Sequence, residues 1–482
     1  MKDVICDKRM TFDECELAIL RSAVDKAETR MGKITANSED VKKIISIVEN
    51  FIRRKKLIAY GGTAINNILP KQDQFYNKDV EIPDYDFYSP NALADAKELV
   101  DIYYKEGFEE VEAKPGVHAG TYKVFTNFIP VADITFLEKD IYNALKKEAI
   151  RVAGIYYAPP NFLRMSMFLE LSRPAGDVSR WEKVLKRLTL LNKHYPLKAH
   201  ECNQVNFQRE MSVKNKEELI YETVKNTFID QGVVFFGGYA ISLYSEYMPQ
   251  HLKRKLEKNA DFDVLSLEPH TTAQILKERL QDEGIRDVKI ISKPAIGEII
   301  APHYQINIGR DTVAFIYKPI ACHSYNVINV NGLQVKIATI DTMLSFYLAF
   351  IYSGRDYYDV GRILCMAHYL FEVQQHNRLK QKGLLKRFSI NCYGHQQTLE
   401  EMRAEKAAKF MELKDARNSK EYEEWFLRYR PSNNEDEKKV SKTRTKSGKK
   451  SANKTSRVKR VNRAKKDKKE KTRKRGRGGL FI

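Results

Sequence analysis

Two aspartates one residue apart, Asp84 and Asp86, and a third acid at Asp133 are the side chains from which a phosphate-transfer site can be assembled. Close-set carboxylates repel one another and resist desolvation. Divalent cations remove that cost, and Mg²⁺ favours carboxylates completed by water and by substrate phosphate oxygens. Two such ions clamp the attacking and leaving oxygens of an in-line displacement. Upstream, Gly61, Gly62 and Thr63 form a turn that lets backbone approach a triphosphate, with a helix N-terminus adding N–H donors. The Thr63 hydroxyl is placed to donate to the same phosphates. A lone Gly-Gly carries nothing, and a lone Asp-x-Asp is more often a solvated strand or turn end. The weight lies in the order: Gly-Gly-Thr, an Asp-x-Asp strand, then a later strand with one acid. Arg180, Lys183 and Arg187 add a basic helix face at spacings of three and four. That face meets triphosphate or RNA backbone, or it is the solvated side of a helix anchored by Trp181, Val184 and Leu188.

Several elements must position these residues. Apolar positions 41, 44, 45, 48, 51 and 52 keep helical spacing, with Asn37 or Ser38 as the cap. Leu57 to Tyr60 reads as a short buried strand, and Thr63 to Leu69 as a helix stopped by Pro70. Pro83 to Tyr88 is strand-like, and its period of two puts Asp84 and Asp86 on one face and Tyr85 on the other. A helix from about Asn91 to Glu106 precedes a third strand, Val131 to Phe136, which carries Asp133. Residues 1 to about 36 read as helical.

The pattern then repeats. Phe236-Gly237-Gly238-Tyr239-Ala240-Ile241 answers Tyr60-Gly61-Gly62-Thr63-Ala64-Ile65, and Asp261-Phe262-Asp263 answers Asp84-Tyr85-Asp86. From first glycine to first aspartate is 23 positions in one copy and 24 in the other. Aligning Thr312 to Tyr317 with Val131 to Phe136 sets Ala314 opposite Asp133, so the second copy lacks the third acid and has Tyr239 for Thr63. Asp261 and Asp263 then read as relics, in a copy left to scaffolding or RNA guidance. One long helical stretch is expected from Ile340 to about Gln374 and a charged helix from Thr398 to Arg417.

The chain has 482 residues, 43% hydrophobic and 11% aromatic, which excludes wholesale disorder and small disulfide-knot classes. Its net charge of +20 is concentrated at one end: from Lys438 on, 21 Lys and Arg face two acids, leaving the rest near +1. That segment has no apolar periodicity and reads as a disordered polycation suited to a polyanion such as RNA, a nuclear address or a solubility tag being the plainer readings. The six scattered cysteines form no Cys-x-x-Cys pair and suggest buried thiols in a reducing compartment. There is no signal-peptide pattern, and the longest apolar stretch, Met343 to Tyr352, is about half a membrane span.

On the quoted motifs, with Leu171-Ser-Arg-Pro and Arg180-Trp-Glu-Lys added, the sequence resembles the polymerase-beta-like nucleotidyltransferases. More narrowly, it resembles the poly(A) polymerase catalytic subunits of poxviruses, asfarviruses and mimiviruses, over about residues 40 to 345. The resemblance implies an α+β fold with a duplicated, in its second copy degenerate, nucleotidyltransferase domain, helical segments and the basic tail. The expected boundaries are 1–36 (helical), 37–198 (catalytic), 199–338 (degenerate copy), 339–430 (helical) and 431–482 (tail). It implies extension of a single-stranded RNA 3′ end with AMP from ATP, with two Mg²⁺ or Mn²⁺ ions as cofactors. Asp84 and Asp86 would hold both ions, Asp133 one of them, while Gly61, Gly62 and Thr63 cradle the β and γ phosphates. A homodimer or a processivity subunit that is also a cap methyltransferase is the implied protein partner, and the host cytoplasm or the virion the implied location. Two departures stand out: a long connection from Gly62 to Asp84, and the tail.

Other readings remain open at this point. A different RNA 3′-terminal nucleotidyltransferase would carry the same motifs, as would a weakly catalytic RNA-binding pseudo-enzyme or a transferase acting on proteins or antibiotics. Kinase and P-loop readings fail because neither Gly-rich signature occurs.

Overall fold

The computed structural model describes residues 6, 9–77, 79–80, 82–199, 201–209, 211–212, 216–250, 259–297 and 299–431. The expected basic tail lies outside these residues from 432 onward. The chain up to Tyr429 forms one compact unit.

Helix α1 (Phe12–Ala36) opens with a capping box, in which Thr11 accepts from the Glu14 N–H and Glu14 accepts from the Thr11 N–H. Ser38 caps α2 (Glu39–Lys55) by accepting from the Val41 N–H, and that helix buries Val41, Ile44, Val48, Phe51 and Ile52. Burying each of the larger of these side chains contributes roughly 1.5–3 kcal/mol, so tertiary packing fixes the helix. Lys56 ends it in the left-handed region, at φ 55°.

The first sheet holds β1 (Ile58–Ala59), β2 (Tyr85–Ser89), β3 (Val111–Pro115), β4 (Thr121–Thr126), β5 (Ile129–Phe136), β6 (Ile150–Val152) and β7 (Ile155–Tyr157). Their order across it is β3-β4-β5-β2-β1-β7-β6. Helices α3 (Gly61–Ile68), α4 (Ala92–Lys105) and α5 (Lys139–Glu148) connect these strands. After the sheet come α6 (Pro160–Leu171) and α7 (Trp181–His194).

The second sheet repeats this plan. Helix α8 (Glu217–Asp230) leads into β8 (Val234–Phe235), α9 (Gly238–Tyr244), β9 (Phe262–Leu265) and α10 (Pro269–Asp282). Then follow β10 (Val288–Lys293), β11 (His303–Ile308), β12 (Asp311–Tyr317), β13 (His323–Val330) and β14 (Leu333–Ala338). The order is β10-β11-β12-β9-β8-β14-β13-β15, the last strand being Cys392–Tyr393. Strand for strand, this is the order of the first sheet with one strand added. In both sheets the Gly-Gly strand runs antiparallel to the Asp-x-Asp strand, which runs parallel to the strand on its other side.

The duplication also reaches past the sheets. The expected single helix from Ile340 is two, α11 (Ile340–Phe350) and α12 (Val360–His376), broken around Gly354, which has φ +63°. These follow the second sheet as α6 and α7 follow the first, and α6 packs against α11 to join the copies. Finally, α13 (Leu399–Leu413) and α14 (Lys420–Phe426) close the unit, and Tyr429 pairs with Ala113 at the edge of the first sheet.

The cysteines depart from the expectation of free thiols. Cys6–Cys15, Cys202–Cys365 and Cys322–Cys392 are disulfides, with Cα separations of 5.3, 5.4 and 5.0 Å. Two of these link positions 163 and 70 residues apart, which only the tertiary fold brings within bridging range. Among the described residues, no helix is long and apolar enough to cross a membrane.

Candidate active site

The pleat of β2 turns Asp86 and Asp84, the latter just ahead of the strand, to one face while Tyr85 and Phe87 are buried on the other. In the parallel pairing of β2 with β5, Asp86 is the direct register partner of Asp133. The three sequence-predicted acids therefore share one face of one sheet.

Their charges are in conflict. Burial, then the Asp84 and Asp133 carboxylates, push the Asp86 carboxyl up to about 7. Asp84 is also raised, by burial and by Asp133. The sequence did not single out Lys123, which stands opposite Asp133 in the β4–β5 pairing and whose Nζ forms an ion pair with it at 2.5 Å. Among the described residues, no three or more His, Cys, Asp and Glu side chains converge as a ready-made metal cage. The donor set, three carboxylates with one held by a lysine, nonetheless fits a hard divalent cation. The unfavourable charge on Asp86 is what such an ion would relieve, and Lys123 is the group it would displace.

The Gly-Gly turn is fitted closely to this face. Helix α3 starts at Gly61, two residues earlier than expected, and its N-cap residue Tyr60 makes no side-chain capping bond. Gly61 has φ +71°, and a Cβ there would lie 2.5 Å from Asp86 Oδ2. A Cβ on Gly62 would lie 2.4 Å from the Tyr76 hydroxyl and 2.9 Å from Arg187 Nη1. At Gly61 the left-handed backbone alone disfavours any side chain, while at Gly62 a Cβ would push the ends of Tyr76 and Arg187 aside.

Thr63 does not play the expected part. Its hydroxyl donates to the Asp84 carbonyl at 2.6 Å and is 5% exposed, so it anchors the Asp-x-Asp segment instead of facing a phosphate.

The basic face of α7 divides. Arg187 reaches the Gly62 turn, donates to the Tyr76 hydroxyl at 2.7 Å and stacks on the Phe75 and Tyr76 rings at 4.9 and 5.5 Å. Arg180, just before the helix, pairs with Glu170 at 3.1 Å and is among the charges that act to lower the Asp86 carboxyl. Lys183 stays exposed on the helix surface. The long connection after α3 proves purposeful: Asn66 Oδ1 accepts from the N–H groups of Phe75 and Tyr76, at 2.8 and 2.9 Å, and folds that loop back over the turn.

Tyr60, stacked on Tyr88 at 3.9 Å between ring centroids and bonded to the Thr135 hydroxyl at 2.8 Å, continues the face beyond the acids. A cavity of about 270 Å³ opens beside Tyr88 and Thr135, walled by Phe162 and Met165 of α6 and by Ile299 and Phe346 of the second copy.

The second copy has the same frame with a different filling. Arg209 forms an ion pair with Asp261, lies 3.6 Å from Asp263, and donates its backbone N–H to Asp261 at 3.1 Å. Arg362, at the start of α12, stands 3.9 Å from Asp261. Register overturns one detail of the sequence alignment: the residue paired with Asp263 is Phe315, with Ala314 one step behind. An aromatic ring thus takes the place of the third acid, and the Arg209 guanidinium sits 4.8 Å above it. Asp261 and Asp263 are therefore the buried counter-charges of two arginines, and not idle relics.

Frame and site together define a duplicated α+β fold with one open acid face and one filled. The crystal structure of the Megavirus polyadenylate synthase matches 91% of this chain and 90% of its own at a TM-score of 0.72, with 19% identity. Residues 46–177, which hold the Gly-Gly turn and all three acids, match the family model described as poly(A) polymerase catalytic subunit. A protein named "Putative poly(A) polymerase catalytic subunit" from African swine fever virus is 32% identical over 204 residues, 41% of this chain and 42% of that relative. A protein of the same name from Acanthamoeba polyphaga mimivirus is 33% identical over 160 residues, 32% of this chain and 26% of that relative. The aligned stretch thus spans under half the length of the curated relatives it matches. The resemblance read from the motifs holds for the segment that carries them.

Proposed function

We propose that the chain is the catalytic subunit of a template-independent poly(A) polymerase, extending a single-stranded RNA 3′ end with AMP from ATP. The observation that carries this reading is the open acid face of the first copy, set against the Gly-Gly turn and Arg187 within the family-matched segment. In the reaction the terminal 3′-hydroxyl releases its proton to solvent as its oxygen bonds to the α-phosphorus, the bond from that phosphorus to the α–β bridging oxygen breaks, and pyrophosphate leaves. Asp84, Asp86 and Asp133 are the residues that would hold Mg²⁺ or Mn²⁺, whose charge neutralises the phosphates and makes the hydroxyl a better nucleophile.

The remaining work belongs to the chain itself. Gly61 and Gly62 keep the turn free of side chains, so the α3 N-terminus can approach the β and γ phosphates. Arg187, already fixed by Tyr76 and two aromatic faces, loses little freedom on binding them. Thr63 holds the Asp84 backbone at that distance. The apolar cavity beside Tyr88 offers a slot for a nucleobase, with one wall from each copy.

Primer extension tests the reading. A labelled RNA is incubated with each NTP separately and Mg²⁺ or Mn²⁺, comparing wild type with the Asp84→Ala/Asp86→Ala variant. A long ladder with ATP alone, lost in the variant, is the expected result. A ladder with another nucleotide would keep the class and replace the substrate. No extension by wild type, with RNA still bound, would overturn the catalytic reading.

A further inference from the structure

The open face of the first sheet does not stop at the acids. Register carries one row of side chains across four strands. Asp86 of β2 is opposite Asp133 of β5, Asp133 is opposite Lys123 of β4, and Lys123 is opposite Lys114 of β3. At about 4.8 Å between neighbouring strands, the row is about 14 Å long. Helix α4 packs on the other face of β3 and β4, where Ala113, Tyr122 and Val124 are buried, which leaves Lys114, Lys123 and Phe125 on the open one. Among the described residues Lys114 forms no ion pair. Its Nζ sits 4.0 Å from the centroid of the Phe125 ring, which is half-buried and lies outside the hydrophobic core. Glu112, on the same face, is answered by Arg428 at 3.9 Å. The β4–β5 hairpin then closes in a two-residue turn, Asn127-Phe128, with φ 50° and 65°. Turns with two positive φ values favour Asn-Gly, yet a phenylalanine 80% exposed stands in the glycine's place.

The direction of the chemistry decides what this face meets. The Gly-Gly turn adjoins Asp86 from the β1 side, with Arg187 beside it. That side belongs to the leaving pyrophosphate in the proposed transfer, on which this inference rests. In an in-line displacement the attacking oxygen stands opposite the leaving one. The 3′-hydroxyl therefore arrives from the β5 side, and the RNA behind it must pass over β4 and β3. There it meets two ammonium groups for its phosphates and two accessible rings for its bases, the combination that holds single strands without reading their sequence. We propose that the β3–β4 face and its hairpin tip are the track for the RNA just behind its 3′ end. Lys114 and Lys123 take phosphate oxygens, and Phe125 and Phe128 stack on bases. Lys114, resting on the Phe125 ring, is already in place for this. Lys123 changes partner, since a cation at Asp133 releases it toward the nearest phosphate.

Lysine footprinting on the full chain tests the track without using activity. The protein is acetylated with and without a single-stranded RNA oligonucleotide ending in a 3′-deoxynucleotide, and each lysine is read by mass spectrometry. Lys114 is expected to be protected, and Lys183, exposed on α7, to react as before. Kinetics supply the second readout. Lys114→Ala/Phe125→Ala should raise the KM for the RNA primer by about 10–100-fold and leave the KM for ATP unchanged. Lys114→Arg/Phe125→Tyr should stay close to wild type, since it keeps the charge and the ring. Phe128→Gly should weaken RNA binding while the melting temperature holds or rises, because glycine suits that turn and the ring it removes is exposed. A Lys114 that RNA leaves unprotected would overturn the proposal, as would equal protection of Lys114 and Lys183. An unchanged RNA KM in Lys114→Ala/Phe125→Ala would overturn it too. If wild type extended no RNA, a protected Lys114 would still support the track, and only the transfer reaction would fall.

Discussion

The two copies of the sheet solve the same electrostatic problem in opposite ways. Each folds a Gly-Gly turn against an Asp-x-Asp strand, and each so brings carboxylates together at a cost. In the second copy the compensating cation is part of the chain: Arg209 and Arg362 face Asp261, and Phe315 has replaced the third acid. In the first copy compensation is partial. Lys123 answers Asp133, while Asp86 is left with its carboxyl raised to about 7. One copy is finished when it folds, whereas the other keeps carboxylate charge that the proposed metal ions would neutralise. A duplicated acid pair thus becomes structural through the gain of a buried arginine as much as through the loss of a ligand.

This contrast makes a crossed prediction for paired substitutions. Asp84→Ala/Asp86→Ala should lower primer extension by about 10,000-fold, with a melting temperature equal to or above that of wild type, since mutually repelling charges are removed. The matching Asp261→Asn/Asp263→Asn change should do the reverse in kind. It leaves Arg209 buried without counter-charge and should lower stability by about 3–5 kcal/mol in a urea titration. Adding Arg209→Met should recover part of that loss, because a buried ion pair replaced on both sides by apolar or neutral groups is often tolerated. If the second-copy variant lost extension while keeping its urea midpoint, the division of labour between the copies would be wrong.

Arg187 offers a smaller test within the first copy. A charge-assisted hydrogen bond to phosphate contributes about 1.5–3 kcal/mol. Arg187→Ala should accordingly raise the KM for ATP by about 10–100-fold, with Arg187→Lys recovering less than half of that in free energy because it cannot stack as a plane. Lys183→Ala on the same helix, exposed and away from the turn, should leave that KM unchanged. Equal effects at the two positions would mean that the helix face acts as a diffuse basic surface.

The sequence made this first copy legible because its constraints are local and periodic. A period of two set Asp84 and Asp86 on one face, helical spacing exposed the buried side of α2, and the repeated Gly-Gly and Asp-x-Asp units announced the duplication. What it hid depends on distant pairing. Lys123 is one of many lysines until the β4–β5 register sets it opposite Asp133. Arg209 precedes its partners by more than fifty residues, in a stretch without regular structure of its own. The one-residue slip that put Ala314 where Phe315 belongs arose because a strand without its acid has no marker for register. The disulfides were hidden for the same reason, since cysteine spacing says nothing about pairs 163 residues apart. Thr63 failed more locally: a hydroxyl at a turn serves ligand and backbone equally well, and here the Asp84 carbonyl has it.

The smallest effect separates the copies by pH. With its carboxyl pushed up to about 7 from an ordinary 3.8, Asp86 keeps a proton in the folded state that the unfolded chain has already released. Between about pH 4 and 7 the native state therefore binds more protons, and stability falls as pH rises through that window, then levels off. His303 and His323 act in the opposite direction: buried in the second copy, they are lowered to about 4 and about 3, so stability is lost as pH falls below their ordinary 6.5. The net pH profile mixes these contributions, but the change in melting temperature on adding Mn²⁺ cancels the histidines, which are the same in both samples. That shift should be near zero at pH 5, where Asp86 is protonated, and larger near pH 8, where the ion has no proton to displace from it. Asp86→Asn should flatten it at every pH, while Asp263→Asn, whose charge is answered by Arg209, should leave its pH dependence in place. A Mn²⁺ shift of equal size at pH 5 and pH 8 would mean that the ion binds somewhere other than the open acid face.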